Sequence, residues 1–420
     1  MMMFWRARRV MTLASTLLAG CVDTSHKILL ASDDSPRDTA MVSAVLSCAT
    51  CTLAVTDSVV LGTPADSLVP IRGIEFARDS RGNHYVFSDG TQFPILHYDS
   101  TGHYRGSLGK LGEGPGEYRM VSKVAIGPGD SLFLIEPAGI VIHVFAPNGV
   151  FVRRITLSQS AWVSEVARGG PAVLYGRPVV EGGQSIETKL LRLRGNAQVL
   201  DSIALFAPPS GTQVTVNTAI DDGTKRDPIK MDLPLESNVF PVRDGSFWMV
   251  SDGNYRLEQY DATGTPRKLF GVHIAGEPAP VMTVAEAKAA VSSGRKIDPW
   301  GGVHSKKTKY QFQLHRWVDV DANGLLWVTR QVAATSWDTV AYREIKTTSE
   351  FGPESMIPPD IEDRLSHSVL EIIDPKNGRM LARHTFPFRA SRVGPGFVGR
   401  VATNAEGFLV PIVYRVRLQR

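Results

Sequence analysis

A unit of about 40 residues recurs along this chain and constrains its fold more than any other feature of the sequence. Each copy holds four short segments in which alternate residues are apolar, separated by turns rich in Gly, Asp and Asn. The first copy reads "IEFARDSRGNHYVFSD" and then "PILHYDSTGHYRGSLG". The alternation predicts β-strands, and the glycines suit hairpin turns, which place a residue at positive φ. Four antiparallel strands joined in sequence form one blade of a β-propeller.

Five full copies and a partial sixth predict an all-β, six-bladed β-propeller. The approximate blade limits are residues 71–109, 121–157, 163–205, 237–271, 316–387 and 398–420. The sixth copy lacks a strand, which residues 51–62 ("CTLAVTDSVVLG") can supply. This velcro closure would join both ends of the chain in one blade and remove two exposed sheet edges. In the second turn of a copy, Asp99, Asp261 and Asp374 can accept hydrogen bonds from the turn backbone.

Three motifs carry a resemblance to a known family: "DSRG" at Asp79–Gly82, "YDSTG" at Tyr98–Gly102 and "GEGPGEY" at Gly112–Tyr118. With them, residues 50–420 resemble the six-bladed, NHL-like propellers of bacterial lipoproteins. The resemblance implies the fold more than a function, because such propellers bind proteins, peptides, sugars or nucleic acid and only some are enzymes. The glycines of the third motif lead into a strand and not a helix, which indicates a crossover between blades and not a phosphate loop. Glu117 there is free to bond backbone amides.

The N-terminus has the pattern of an export signal. A basic stretch precedes the short apolar run Val10–Leu18, which predicts a signal peptide over residues 1–20. The tetrapeptide Leu18-Ala19-Gly20-Cys21 looks like a lipobox, which would make Cys21 the lipidated first residue of the mature protein. An ordinary signal peptide with a chance cysteine is the alternative. Residues 21–47 are rich in Ser, Asp and Thr and predict a flexible tether.

The remaining cysteines, Cys48 and Cys51, form an isolated "CATC". Outside the cytoplasm a structural disulfide is the favoured interpretation, with two free thiols or a redox role as the alternatives. The net charge of +4 includes three arginines in the first ten residues, so the body carries a charge of only about +1. A near-neutral body gives no reason to expect nucleic acid as a partner.

Three long insertions fall in connections that a propeller places on one face, at residues 206–236, 271–315 and 331–367. We expect them to cap the mouth of the central channel, and residues 283–294 predict the one short helix. Residues leading into the inner strands would line that mouth: Arg72 or Ile74, Lys123, Glu165, Asn238, Arg316 and Arg400. Several are basic, which favours an anionic or polyhydroxy small ligand, with an envelope protein as the other kind of partner. Glu117 lies on the same face and is included among the candidate ligand-binding residues.

The favoured function is a non-catalytic, cofactor-free binding lipoprotein of the cell envelope, anchored to a membrane through its N-terminal lipid. The alternative is a propeller hydrolase or lactonase acting on a sugar-like or anionic substrate, with Ca²⁺ held by Glu75, Asn238 and Asp252. Calcium requires six to eight converging oxygens, and scattered acids occur in every propeller. The histidines do not occupy matching inner-strand positions, and no Gly-x-Ser-x-Gly motif is present.

Overall fold

The computed structural model shows a six-bladed β-propeller, as the repeats predict. It describes residues 38–42, 46–62, 74–88, 92–137, 140–157, 161–167, 173–178, 189–194, 199–204, 213–216, 229–232, 238–242, 244–251, 256–272, 296–297, 303–304, 317–334, 345–349, 352–356, 359–405 and 407–420. The signal peptide and Cys21 therefore lie outside the described residues, as do residues 283–294. No helix in the described part is long and apolar enough to cross a membrane.

Strands make up nearly all of the described regular structure. In chain order they are β1 (Asp38–Val42), β2 (Thr52–Val60), β3 (Ile74–Arg78), β4 (His84–Ser88), β5 (Ile95–Tyr98), β6 (Tyr104–Leu108), β7 (Lys110–Leu111), β8 (Glu117–Tyr118), β9 (Lys123–Ile126), β10 (Leu132–Ile135), β11 (Val141–Phe145), β12 (Phe151–Thr156), β13 (Ala161–Val166), β14 (Val173–Pro178), β15 (Lys189–Arg194), β16 (Val199–Ala204), β17 (Gln213–Val216), β18 (Ile229–Asp232), β19 (Asn238–Pro241), β20 (Phe247–Ser251), β21 (Arg256–Tyr260), β22 (Pro266–Val272), β23 (Lys296–Ile297), β24 (Val303–His304), β25 (Trp317–Val320), β26 (Leu326–Ala333), β27 (Ile345–Ser349), β28 (Gly352–Met356), β29 (Ser366–Asp374), β30 (Arg379–Phe386), β31 (Arg392–Gly394), β32 (Phe397–Thr403) and β33 (Leu409–Gln419). A 3-10 helix spans Pro128–Asp130, and the short helix α1 spans Pro359–Leu365.

Each blade is an antiparallel sheet. Blades one to four consist of β3–β6, β9–β12, β13–β16 and β19–β22, and blade five consists of β25, β26, β29 and β30. The first strand of each blade contacts the first strand of the next, and β31 returns to contact β3. Six inner strands therefore surround a central channel. They all run in the same direction, because every blade begins at the connection from the blade before it.

Blade six confirms the predicted velcro closure. Its strand order is β2-β33-β32-β31, so the N-terminal strand completes a sheet built from the C-terminus. The pairing of β2 with β33 runs from Thr52 opposite Gln419 to Val60 opposite Ile412. The inner strand is the three-residue β31, so this blade begins at Arg392 and not at residue 398.

The hydrophobic core consists of six clusters, one at each junction between neighbouring blades. At the junction of blades one and two, for example, Tyr85 and Leu108 pack with Leu134 and Phe145. The alternation of apolar residues in each strand explains this arrangement, because successive side chains point to opposite faces of a blade and both faces are covered.

The repeated turns are held as predicted by aspartate side chains. Asp99 Oδ1 accepts hydrogen bonds from the backbone N–H groups of Thr101 and His103 at 2.9 and 3.1 Å. In blade four Asp261 Oδ1 accepts from Thr263 and Thr265, each at 2.9 Å. Such Asx-turns fix the chain reversal and leave the strands to pack in register.

The N-terminal segment spans the outer edges of three blades. β1 pairs in parallel with β22 and adds a fifth strand to blade four, whereas the sequence predicted a tether there. The Ser47 N–H then donates to Met380 O on the outer strand of blade five at 2.9 Å. The predicted disulfide between Cys48 and Cys51 follows, and Cys51 packs into the core between blades five and six. The disulfide thus lies where the closing strand joins the ring.

The glycine-rich stretch at residues 109–119 is the crossover from blade one to blade two. β7 and β8 pair in parallel within it, and Glu117 Oε2 accepts hydrogen bonds from the N–H groups of Glu113 and Gly114 at 3.0 and 2.8 Å. A Cβ atom on Gly112 would collide with the Glu117 carboxylate, which explains the glycine. Glu117 therefore shapes the connection, as the sequence predicts.

Candidate functional site

The central channel contains a cavity of about 550 Å³, its solvent-filled openings included, to which all six blades contribute. Its described lining residues are Ala77, Arg78, Lys123, Val124, Ala125, Ile126, Glu165, Val166, Phe240, Pro241, Val318, Asp319, Arg392 and Phe397. Nine of these residues are apolar and five are charged, and polar atoms supply most of the surface exposed in the cavity. Polar groups that converge in a concave site can orient a small molecule.

The charged side chains are distributed along the channel axis. Lys123 and Arg392 are the first residues of their inner strands, whereas Arg78 is the last residue of β3. Glu165 and Asp319 each lie one residue before the end of their strands. Because the inner strands run in the same direction, the two ends of the channel each carry a cation, and the carboxylates lie between them.

Lys123 and Glu165 form an ion pair that joins blades two and three. Lys123 Nζ contacts Glu165 Oε1, and the two side chains are 26% and 15% exposed. The sequence predicted both residues at the channel, and the structure brings them together there. An ion pair that is partly withdrawn from water holds both side chains in place more firmly than an exposed pair would.

Arg78 is the charged lining residue that the sequence analysis missed at the far end of the channel. Its guanidinium carbon lies 5.1 Å from the centre of the Phe397 ring, in a cation–π contact. Its Nε is buried without a hydrogen-bond partner, and Arg78 forms no ion pair within the described part of the chain. Burial lowers the pKa of Arg78, and the neighbouring charge of Arg415 lowers it further. The adjacent Asp79 carboxylate is engaged by Arg81 and Asn83.

Buried His84 lies in the same charged neighbourhood. Burial lowers its pKa to about 4, and the positive charge of Arg78 acts in the same direction. His84 is therefore neutral at physiological pH. The positive charge of Arg415 also lowers the pKa of His84.

The prediction that Arg400 leads into an inner strand is wrong. Arg400 lies on β32, the second strand of blade six, because β31 is the inner strand. Its NH2 group pairs with Asp363 Oδ2 of α1 at 2.9 Å, and its guanidinium lies 4.6 Å from the centre of the Phe388 ring. Arg389 pairs with Glu362 of the same helix. These contacts attach α1 to blade six.

Burial raises the pKa values of both carboxyl groups of α1. The pKa of Asp363 rises to about 6, and that of Glu362 rises as well, although the facing arginines act against the rise. α1 ends the insertion at residues 331–367, so this network anchors the insertion on the ring. Arg400 therefore has a structural role in this network, which differs from the ligand-binding role that the sequence predicted.

Ile74, the predicted alternative to Arg72, is buried in the core between blades one and six. Three other predicted ligand-binding residues cannot be compared at the side chain. Arg72 and Arg316 lie outside the described residues. Of Asn238 the structure describes the backbone, which begins β19 opposite Val250. The sequence analysis missed Arg78, Asp319 and Arg392. They could have been found by counting back from the first turn of each blade, because that turn fixes where the inner strand ends.

The alternative metal site receives no support from the described residues. Among them, no group of three or more His, Cys, Asp or Glu side chains is arranged to hold a metal ion. Glu75 lies on β3, and Asp252 lies outside the described residues. The calcium-dependent alternative therefore rests on the sequence pattern alone.

This chain was compared with known protein families, curated proteins and solved structures. The sequence matches no protein-family model and no curated protein. A protein of Bacteroides fragilis described as exported aligns with a TM-score of 0.49 at 10% identity, covering 91% of this chain and 100% of that one. A member of the DUF4221 family from Bacteroides vulgatus gives a TM-score of 0.48 at 9% identity, with 88% and 99% covered. Virginiamycin B lyase from Staphylococcus aureus gives 0.37 at 11% identity, with 87% and 99% covered. At this distance, similar backbone shape says nothing about which ligand this chain binds.

Proposed function

We propose that this protein is an exported, non-catalytic binding protein of the cell envelope whose ligand occupies the central channel. The observation that carries the proposal is the channel lining, where charged side chains from five of the six blades line one cavity. Polar groups that line one cavity can supply both orientation and specificity for a small molecule. The Lys123–Glu165 pair contributes fixed donors and acceptors on one wall.

The face at which the inner strands begin supports the same proposal. Residues 206–236 and 271–315 connect one blade to the next, and residues 331–367 interrupt blade five between β26 and β29. Propeller topology places all three connections on that face. Each contains a two-stranded hairpin: β17–β18, β23–β24 and β27–β28. Long insertions around one channel mouth are suited to cover a bound ligand.

Loss of the channel ion pair should weaken ligand binding. We expect the double variant Lys123→Met/Glu165→Gln to bind its ligand at least about tenfold more weakly, because charged hydrogen-bond partners are lost from the wall. Native mass spectrometry of the purified protein with a mixture of neutral and acidic oligosaccharides and short peptides would identify the ligand. The exposed pair Arg119–Glu113 provides the matched control, Arg119→Met/Glu113→Gln, which should bind as the wild type does.

Two results would contradict the proposal. In the first, no member of the mixture binds the wild type, or the channel variant binds as strongly as the control. In the second, the bound compound is released chemically altered, which would favour the hydrolase or lactonase alternative.

Export and anchoring rest on the leader sequence. The basic stretch, the short apolar run and the lipobox-like Leu18-Ala19-Gly20-Cys21 support a lipid anchor that faces the periplasm or the exterior. We expect Cys21→Ser to move most of the protein from the membrane fraction to the soluble fraction, because no lipid is then attached. Cell fractionation with immunoblotting measures this, and Cys48→Ser serves as the control that should remain with the membrane. Full membrane retention of Cys21→Ser would argue against lipidation at this residue.

A further inference from the structure

We propose that the protein rests on an anionic lipid surface through an exposed basic rim at the outer edges of blades five and six. The basic rim consists of Leu46, Lys376, Arg379 and Arg417. The inference rests on the membrane attachment in the proposed function and adds a second contact to it, besides the N-terminal lipid. It also specifies which face of the ring is turned toward the membrane.

The N-terminal segment reaches the basic rim at blade five. The N–H and Oγ groups of Ser47 both donate to Met380 O, at 2.9 and 3.0 Å. Met380 follows Arg379 at the start of β30, and Lys376 lies in the turn just before that strand. Leu46 precedes Ser47, so the chain carries it to the same place as the two cations.

The disulfide loop connects this part of the rim to blade six. Cys48 and Cys51 have Cα atoms 5.3 Å apart, so the loop between Ser47 and β2 is short. At the start of β2, Thr52 pairs with Gln419, two residues from Arg417 on β33. The cations of blades five and six therefore lie on either side of one short, cross-linked loop.

The basic rim has an excess of positive charge. Lys376, Arg379 and Arg417 are exposed, and none of them forms an ion pair within the described part of the chain. Asp374 is the one acid beside this turn of blade five, and its carboxylate accepts hydrogen bonds from the Lys376 N–H at 2.9 Å and from Asn377 Nδ2 at 3.0 Å. Three cations and one acid leave two positive charges in excess. Exposed cations of this kind are attracted to anionic lipid headgroups.

Leu46 adds an apolar contact beside these cations. Its side chain is 45% exposed, and the neighbouring loop residues Ala49 and Thr50 are exposed as well. Surfaces that bind at the lipid interface combine apolar side chains, which enter the headgroup region, with surrounding Lys and Arg residues. An anionic bilayer suits both kinds of side chain at once.

A second group of exposed cations lies across the ring, on blade two and the crossover that precedes it. Lys110, Arg153 and Arg154 form no ion pair within the described residues either. Two glutamates, Glu113 and Glu117, share that crossover. The described part of the N-terminal segment contacts blades four, five and six, and its upstream end leads to the predicted lipid. A tether would therefore bring the basic rim to the membrane, and not the group on blade two.

Binding through the basic rim would turn the insertions away from the membrane. Lys376 and Arg379 flank the turn between the third and fourth strands of blade five. Propeller topology places such turns on the face opposite to the one at which the inner strands begin, where the long insertions lie. The channel mouth on the insertion face would then stay open to a ligand. The attraction depends on salt and is weaker than a lipid anchor, so it orients the anchored protein and does not replace the lipid.

Co-sedimentation with lipid vesicles tests the inference on a chain that carries no lipid of its own. The protein is residues 21–420 with Cys21→Ser, called the parent, and the vesicles consist of phosphatidylcholine with or without about one third phosphatidylglycerol. We expect the parent to bind the vesicles with phosphatidylglycerol at least about tenfold more strongly, and to be released at about 0.5 M salt.

Two matched triple variants locate the surface. Lys376→Gln/Arg379→Gln/Arg417→Gln should weaken binding to the anionic vesicles by at least about tenfold, because three attractive charges are lost. Lys110→Gln/Arg153→Gln/Arg154→Gln removes the same charge from the other side of the ring and should bind as the parent does. Leu46→Ser should weaken binding by a smaller factor.

Each outcome supports or overturns the inference. Equal binding of the parent to both kinds of vesicle would overturn the anionic lipid surface. Unchanged binding in the rim variant, or an equal loss in the blade-two variant, would overturn the location. Tighter binding to poly-L-glutamate than to the vesicles, lost in the rim variant, would indicate an acidic protein instead of a lipid. Thermal unfolding checks that the variants fold, and the vesicle comparison on the parent decides if one does not. Fractionation of Cys21→Ser cells decides the lipid anchor separately.

Discussion

Removal of residues 1–61 should abolish the cooperative folding of the ring. The deletion takes away β2, which pairs with β33 along its length, and it leaves blade six with three strands and an open edge. Three buried apolar residues, Cys51, Leu53 and Leu61, leave the two junctions that blade six makes with its neighbours. At about 2 kcal/mol each, their loss approaches the total stability of an ordinary domain, which is about 5–15 kcal/mol. The new edge would also favour aggregation.

Urea denaturation followed by circular dichroism measures this prediction. The matched control is removal of residues 1–45, which takes away β1 but keeps the disulfide and β2. The control should keep a single steep transition, because β1 only adds a fifth strand to the outer edge of blade four. A steep transition at similar urea concentration in both variants would show that the ring does not depend on its closing strand.

The repeats made the architecture predictable because the pattern of strands and turns is present in the sequence of each blade. Alternating apolar residues and turn glycines recur in every copy, so an error in one blade does not change the fold. The incomplete last copy also predicted the closing strand, since a ring requires its sixth blade to be completed. The same logic failed for two short strands. β31 has three residues and β1 has five, and neither shows a sustained alternation. Each forms a strand because it pairs with another one, β1 with β22 and β31 with β32.

The candidate site was only partly predictable, because its residues come from different blades and meet only when the ring is formed. Lys123 and Glu165 were found because both lie on predicted inner strands, although their contact joins two blades distant in sequence. Arg78 ends its strand, next to a turn, where a charged residue is usually solvated. Its burial depends on Phe397, which arrives from the other end of the chain. Such long-range contacts cannot be recognised from the residues that neighbour Arg78 in the sequence.

Blade five contains a buried charge cluster that the sequence analysis did not detect. Glu371 is fully buried, and its Oε1 lies 3.3 Å from Arg330 NH2 and 2.8 Å from Arg383 NH2. Arg330 is itself only 5% exposed at the side chain. The three residues lie on adjacent strands, β26, β29 and β30, so sheet register brings them together. One buried carboxylate thus contacts two arginines, of which Arg330 is buried and Arg383 is partly exposed.

Neutralising Glu371 should therefore be strongly destabilising. We expect Glu371→Gln to lower the free energy of unfolding by about 3 kcal/mol or more, because it removes a fully buried negative charge from contact with the buried Arg330 and the partly exposed Arg383. Urea denaturation of the purified protein measures the change. The matched control is Glu113→Gln on the exposed Arg119–Glu113 pair, for which we expect a loss of at most about 1 kcal/mol.

A second variant separates charge balance from packing. Replacing all three members with apolar residues, as Arg330→Met/Glu371→Leu/Arg383→Met, should recover most of the stability lost in Glu371→Gln, because no unpaired charge then remains buried. If Glu371→Gln instead unfolds within about 1 kcal/mol of the wild type, solvent or another group must balance the arginines. Recovery in the triple variant would show that the cluster is not needed for stability, and that a carboxylate is required at residue 371 only while the two arginines are present.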